Sequence, residues 1–254
     1  YAARDVARGR LAEAQARLWQ NETVDATGDV GLYASLALDV EDHPHVVYYD
    51  ASNTDLKYAH DDGSGWITET LDIAAQDAGL YASLALDASQ RPHASYRWKA
   101  LVSSPVGFTY VTYLKAAHHD GSGWVFETVE SIGEQGGHTS LALDAGGDPH
   151  VSYYDADLGA LRYAYNLGSG WISETVDSGG FLEDVGEYSS LALDQAGNPT
   201  ISYYDATNGD LKVAYYTRPM GWQIAIVDSG GLGSFTSLAL DTNGHPHISY
   251  YDAT

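Results

Sequence analysis

Apolar and polar residues alternate along this chain in runs of five to eight, interrupted by clusters of Gly, Asp, Asn and Pro. Alternation with a period of two marks half-buried β-strands, and the interruptions mark turns. In the run that begins at Ser35, Leu36 and Leu38 fall on one face and Ser35 and Ala37 on the other. One face is bulky and the other small, as stacked sheets require if they are to interlock.

The runs recur. SLALD begins at Ser35, Ser83, Ser140, Ser190 and Ser237, at spacings of 48, 57, 50 and 47 residues. Each copy leads through a turn into a second phrase such as PHVSYYD from Pro149, and then a third such as LRYAY from Leu161. A fourth phrase starts at tryptophan, such as WISETVD from Trp171. Four strands (A to D) per repeat of this length is the period of a propeller blade. The fifth repeat ends at Thr254 after strands A and B, while Leu11–Ala16 reads as a strand C and WQNETVD from Trp19 as a strand D. The pattern therefore predicts an all-β fold. It is a five-bladed β-propeller of four-stranded antiparallel blades, a single domain over 1–254, whose N-terminal strands C and D complete the C-terminal A and B. Residues 1–10 fit the repeat poorly and are expected as a short helix or an arm.

The net charge of −23 excludes a partner bound through its phosphates, so no nucleic acid and no anionic membrane surface is expected. No apolar run approaches the ~18 residues of a membrane helix. There is no cysteine, hence no disulfide framework and no thiolate metal site. The start at Tyr1 reads as a mature or trimmed product, and the composition fits an extracellular or cell-surface bacterial protein.

Residues present in every blade are assigned to the scaffold. The strand-D tryptophans are expected to cap the gaps between blades. His45, His93, His150 and His247 follow the turn prolines. They are expected to be hydrogen-bonded within their own blades rather than to form a metal ring. The pairs His43/His45 and His245/His247 could converge on zinc or copper, and the Asp-rich turns such as DATNGD from Asp205 resemble calcium loops only in part. No metal or other cofactor is predicted.

The stretch ISYYDATNGDLKVAYY, with corners such as LGSGW, resembles the repeats of fucose-binding lectin propellers. The five-blade count is similar to tachylectin-type propellers. The resemblance implies a sugar-binding propeller. In the fucose-binding family an Arg on one strand and a Glu on the next hold the sugar. The matching positions here are Val47, Ser95, Ser152, Ser202 and Ser249, and then Tyr58, Ala116, Tyr163, Val213 and Glu13, so no blade has the pair.

Function is sought where the repeat is broken. After its Pro-His, blade two reads YRWKALVSSPVGFTYVTYLK, and the 57-residue spacing reflects this insertion. Arg97 replaces a tyrosine, Trp98 an aspartate, and Lys99 follows. The D–A loop entering blade three carries Glu134 and His138, the latter where the other blades have Tyr33, Tyr81, Tyr188 and Phe235. In a propeller the B–C and D–A loops share a face. Arg97, Trp98, Lys99, Glu134, His138 and Tyr81 are therefore expected to cluster as a ligand site, with Trp98 as stacking platform and Arg97 and His138 as polar anchors. A glycan or other small ligand bound without catalysis is the leading expectation. The alternatives are a polysaccharide lyase or other glycan-active enzyme on that face, and an interaction scaffold.

Overall fold

A computed structural model describes residues 21–72, 77–105, 107–133, 137–180 and 182–252. All its regular structure is strand. Blade one comprises β1 (Val30–Leu38), β2 (Pro44–Asp50), β3 (Asp55–Asp61) and β4 (Trp66–Asp72). Blade two comprises β5 (Asp77–Leu86), β6 (Pro92–Ser104), β7 (Gly107–His119) and β8 (Trp124–Ser131). Blade three is β9 (Gly137–Leu143), β10 (Pro149–Asp155), β11 (Ala160–Tyr165) and β12 (Ile172–Asp177). Blade four is β13 (Val185–Leu193), β14 (Pro199–Asp205), β15 (Asp210–Thr217) and β16 (Gly221–Ser229). Blade five contributes β17 (Leu232–Leu240) and β18 (Pro246–Asp252). Each blade is an antiparallel meander in sequence order, and the protein is a five-bladed β-propeller.

Three contacts recur at the described junctions between blades, two of them at all four junctions and the tryptophan contact at three. The serine of each SLALD run accepts a hydrogen bond from the first leucine of the next blade: Ser35 from Leu84, Ser83 from Leu141, Ser140 from Leu191 and Ser190 from Leu238, all at 3.0 Å. The small face of one blade thus meets the bulky face of the next. Each strand-D tryptophan donates its indole N–H to a glutamate of the preceding blade, Trp124 to Glu69, Trp171 to Glu127 and Trp222 to Glu174. Deeper in, a strand-B tyrosine donates to the carboxylate that closes the previous blade: Tyr96 to Asp72, Tyr153 to Glu130, Tyr203 to Asp177 and Tyr250 to Asp228. A strand-C cation joins three of these pairs, as Lys115 with Asp72, Arg162 with Glu130 and Lys212 with Asp177. Tyr96, Tyr153 and Tyr203 are fully buried. Because a carboxylate shielded from water needs directed donors, these clamps fix the spacing of the blades as well as their attraction.

Strand C at Leu11–Ala16, Trp19 and the arm at residues 1–10 lie outside the described residues. The described end of that segment nevertheless makes the contacts of a strand D. Glu22 accepts from the indole of Trp66 at 3.1 Å, and Asp25 accepts from Tyr48 at 2.9 Å and pairs with Lys57. Leu36 of β1 is 62% exposed, whereas its counterparts Leu84, Leu141, Leu191 and Leu238 are at most 9% exposed. Among the described residues, then, only blade one lacks cover on the face that the other blades present to a predecessor.

Glycine is obligatory where strand A enters. A Cβ on Gly186 would stand 2.6 Å from the Cα of Leu161, and on Gly79 2.9 Å from that of Leu56. At the blade-two insertion the structure corrects the expectation of a loop. β6 and β7 pair without interruption from His93↔His118 to Ser104↔Gly107, one long hairpin. The reason is local. In blades one, three and four the aspartate ending strand B caps a turn, as Asp50 does for Ser52 and Asn53. Trp98 stands in that place, so the turn is not nucleated and the β-forming residues Leu101, Val102, Tyr110 and Val111 carry the strands on.

Removing residues 1–25 deletes Glu22 and Asp25 together with both expected strands. The truncated protein should lose the single cooperative melting transition of the parent, followed by circular dichroism; a parent-like melt would contradict closure by this segment.

Candidate functional site

Strand A carries the same irregularity in every blade. In blade one the register steps from Leu32↔Tyr49 to Ser35↔Val47, so one extra residue is accommodated on β1. Equivalent shifts occur in the pairing of β5, β9, β13 and β17. The bulge places Tyr33, Tyr81, His138, Tyr188 and Phe235 at φ between 50° and 55°. A bulky side chain in the left-handed region costs about 1–3 kcal/mol, and such residues concentrate at ligand clamps and active sites. Here five are arranged side by side.

Their rings form an arc. Tyr33–Tyr81, Tyr81–His138, His138–Tyr188 and Tyr188–Phe235 have centroids 4.7, 4.5, 4.4 and 4.5 Å apart. Together with the small residue that follows each of them, the rings line a shallow cavity of about 300 Å³ where the first strands meet. The strained backbone is pinned from the next blade: Thr139 donates to the carbonyl of Tyr81, Ser189 to that of His138 and Thr236 to that of Tyr188, at 2.8–2.9 Å. Behind each ring stands a strand-B residue. Tyr49, Tyr154, Tyr204 and Tyr251 lie 6.3–6.5 Å from their strand-A partners. The hydroxyl of Tyr154 is anchored on Asp184 at 2.6 Å.

Blade two breaks this second circle. Arg97 takes the tyrosine position, paired with Leu80 and only 8% exposed. Its guanidinium acts on the ionisation of both Tyr81 and His138. Burial, reinforced by that charge, lowers the His138 pKa to about 4. The imidazole is therefore neutral near pH 7, and the arc presents phenols and a neutral imidazole with one cation behind them.

Three of the six residues singled out from the sequence, Arg97, His138 and Tyr81, meet here. Trp98 does not. Neighbours on a strand point to opposite faces. Trp98 packs against the core of blades one and two, 5.9 Å from Tyr113 and beneath the Lys115 ammonium at 4.6 Å. Its described contacts are therefore packing contacts, on the face opposite Arg97. Lys99 lies further along β6, its ammonium 4.2 Å from the ring centre of Tyr110. Glu134 lies outside the described residues. Beside it, the D–A loop touches the hairpin base, where Ile132 N–H donates to Thr112 O at 3.1 Å. Tyr33, Tyr188 and Phe235 complete the arc; their signal in the sequence is an aromatic ring two residues before every SLALD serine.

The turn-side histidines of blades one to three are engaged within their blades. His45 bonds Tyr58 and lies 3.7 Å from Asp39, and His150 bonds Tyr163 and lies 3.8 Å from Asp144. Asp39, Glu41 and His43 offer one group of three possible metal ligands, but Asp39 already accepts from the N–H groups of Glu41 and His43 as turn chemistry requires. The HPH residue His245 likewise sits 3.1 Å from Asp241 of its own turn. Clefts between blades also occur, one of about 350 Å³ bordered by His93, His118, Glu127 and Trp171.

No protein-family model matches the chain, and no curated protein matches it. Solved structures do. A Dyadobacter fermentans protein of unknown function superposes with TM-score 0.58 at 12% identity, over 85% of this chain and 74% of that one. The α-L-arabinofuranosidase of Fusarium graminearum, solved with arabinobiose, gives 0.58 at 12% identity over 91% and 77%. An α-L-arabinofuranosidase from Lactobacillus brevis gives 0.50 at 8% identity over 86% and 82%. At these identities the likeness is one of fold.

Two outcomes follow from the geometry. Trp98→Ala should cost about 1–3 kcal/mol of stability in denaturant titration, through lost packing and the lost Lys115 contact; an unchanged midpoint would show that the face is not packed. For His138, a folded pKa below the ordinary value of about 6.5 means that stability is complete above that pH and is lost as pH falls toward 4. His138→Tyr, the residue of three other blades, should remove part of the fall in melting temperature between pH 6.5 and 4. Parallel curves for parent and variant would contradict the buried, neutral imidazole.

Proposed function

We propose that the protein is a carbohydrate-binding, lectin-like propeller that holds its ligand on the aromatic arc. The observation that carries this reading is the set of five aromatic side chains held at positive φ around one cavity. A fold that needed only packing there would place apolar residues in relaxed strands. Flat aromatic faces stack on the C–H faces of sugar rings, and phenol, imidazole and guanidinium groups direct hydrogen bonds to hydroxyls. Tyr81, His138 and Tyr188 are assigned the stacking and hydrogen-bonding contacts, and Arg97 orients Tyr81 and His138 from behind. That the propellers of similar fold include proteins named as arabinofuranosidases, one of them with arabinobiose bound, supports a glycan as the ligand. An extracellular or cell-surface setting follows from that reading.

A second reading, glycan hydrolysis on the same face, is favoured by one carboxyl. Glu187 adjoins Tyr188 on β13, and burial with the neighbouring Asp184 raises its pKa. A raised carboxyl is suited to act as a general acid.

A glycan array that includes arabinobiose, read with the parent and with Tyr188→Ala, tests the first reading. The parent should retain specific glycans and the variant should bind them about 1–3 kcal/mol more weakly. Retention that is equal in both would place the ligand elsewhere. Reducing ends released by the parent but not by Glu187→Gln would favour hydrolysis.

A further inference from the structure

We infer that the projecting part of the β6–β7 hairpin is an outer wall of the same site. The protein would then take a neutral oligosaccharide chain, with one end on the aromatic arc and further sugars along Tyr110 and Phe108. This rests on the arc being the ligand site.

The hairpin leaves the blade. β5 pairs with β6 only as far as Asp77↔Lys99, and β8 pairs with β7 only as far as Tyr113↔Ser131. Beyond those pairs it is a two-stranded ribbon with no flanking strand among the described residues. Isolated ribbons are marginal in water, and this one exposes Phe108 by 75%, Tyr110 by 48% and Leu101 by 39%. These residues share a face. Lys99 pairs with Thr112, Leu101 with Tyr110 and Ser103 with Phe108, and with the period of two they lie on the side of the ribbon that begins at Arg97. One continuous stripe therefore runs from Arg97 behind the arc, past the Lys99–Tyr110 contact, to Phe108.

The stripe suits a sugar chain for three reasons. Tyr110 and Phe108, two residues apart on one strand, stand roughly 7 Å from each other, a spacing that lets consecutive sugars meet consecutive rings. Ser103 opposite Phe108 and Lys99 beside Tyr110 set polar groups next to the rings, unlike the dry apolar surface that buries against protein. From Ala88 to His119 the chain contains no Asp or Glu, although it has 35 elsewhere, and from Ala100 to Val111 it carries no charge of either sign. A neutral ligand can approach that ribbon without desolvating an ion, whereas a polyanion would meet the field of a chain at −23.

The test uses linear neutral oligosaccharides (arabino-, xylo- and gluco-series) from monosaccharide to octasaccharide, titrated against three forms of the full chain. These are the parent, Phe108→Ser with Tyr110→Ser, and a form in which Ala100 is joined to Val111 by Asn-Gly, the two-residue hairpin turn. In the parent, affinity should rise about tenfold from the shortest bound sugar to the longer members. Both variants should bind the shortest sugar like the parent and lose the rise. A rise that persists in both variants, or a parent without length dependence, overturns the inference while leaving the arc reading intact. Failure of every sugar to bind the parent overturns both. Two controls decide against a sugar wall. A parent that is dimeric in sedimentation and monomeric after the double change assigns the stripe to a second copy. Binding to phosphatidylcholine vesicles lost in the same variant assigns it to a lipid surface.

Discussion

The spacing of the blades rests on a carboxylate. The carboxylate near the end of strand D in blades one to three (Asp72, Glu130, Asp177) is largely shielded from water at a blade junction and held by a tyrosine hydroxyl and a Lys or Arg from the next blade. Such a group is costly unless its donors are in place, so the junction has one good geometry rather than a range. Hydrophobic stacking of Leu faces on Ser/Ala faces supplies attraction without direction. The clamp, the Trp–Glu bond and the Ser–Leu bond supply the direction, and Glu22 and Asp25 extend two of these to blade one.

Fixed junctions let the first strands carry strain. Each bulge turns an aromatic ring toward its neighbours at a backbone angle that such residues avoid, and at Tyr81, His138 and Tyr188 a Ser or Thr from the adjacent blade holds the carbonyl. The cost is borne by the whole assembly and the gain appears only where the blades meet. Arg97 is the asymmetric element. By replacing one tyrosine of the outer circle it gives an otherwise repetitive arc a unique blade, and the hairpin that starts from the same strand extends from that blade.

Much of the fold was legible because each phrase of the repeat performs one physical task. SLALD alternates for stacking, the tyrosine of YYD meets a carboxylate, and WxxET supplies both members of the Trp–Glu bond. The site was legible in part. Arg97 and His138 stood out as departures, but Trp98 departs for a packing reason: adjacent residues on a strand cannot serve the same face, which the expected cluster required. Tyr33, Tyr188 and Phe235 went unrecognised because repetition was equated with scaffold. In a propeller a residue repeated on the innermost strand builds the axial surface, so repetition does not by itself set it apart from a ligand site. The positive φ that distinguishes these residues has no signature in a single chain beyond the glycine preceding the bulge.

The central claim is that ligand meets the arc and not the clefts between blades. The chain has ten histidines; His138 alone lies in the arc, while His93 and His118 border a cleft between blades. Imidazole nitrogen shifts recorded by NMR during titration with a glycan that the protein retains separate the two directly. The account predicts that the His138 resonances move and that those of His93, His118 and His150 stay. Movement of the cleft histidines with His138 unaffected would contradict it.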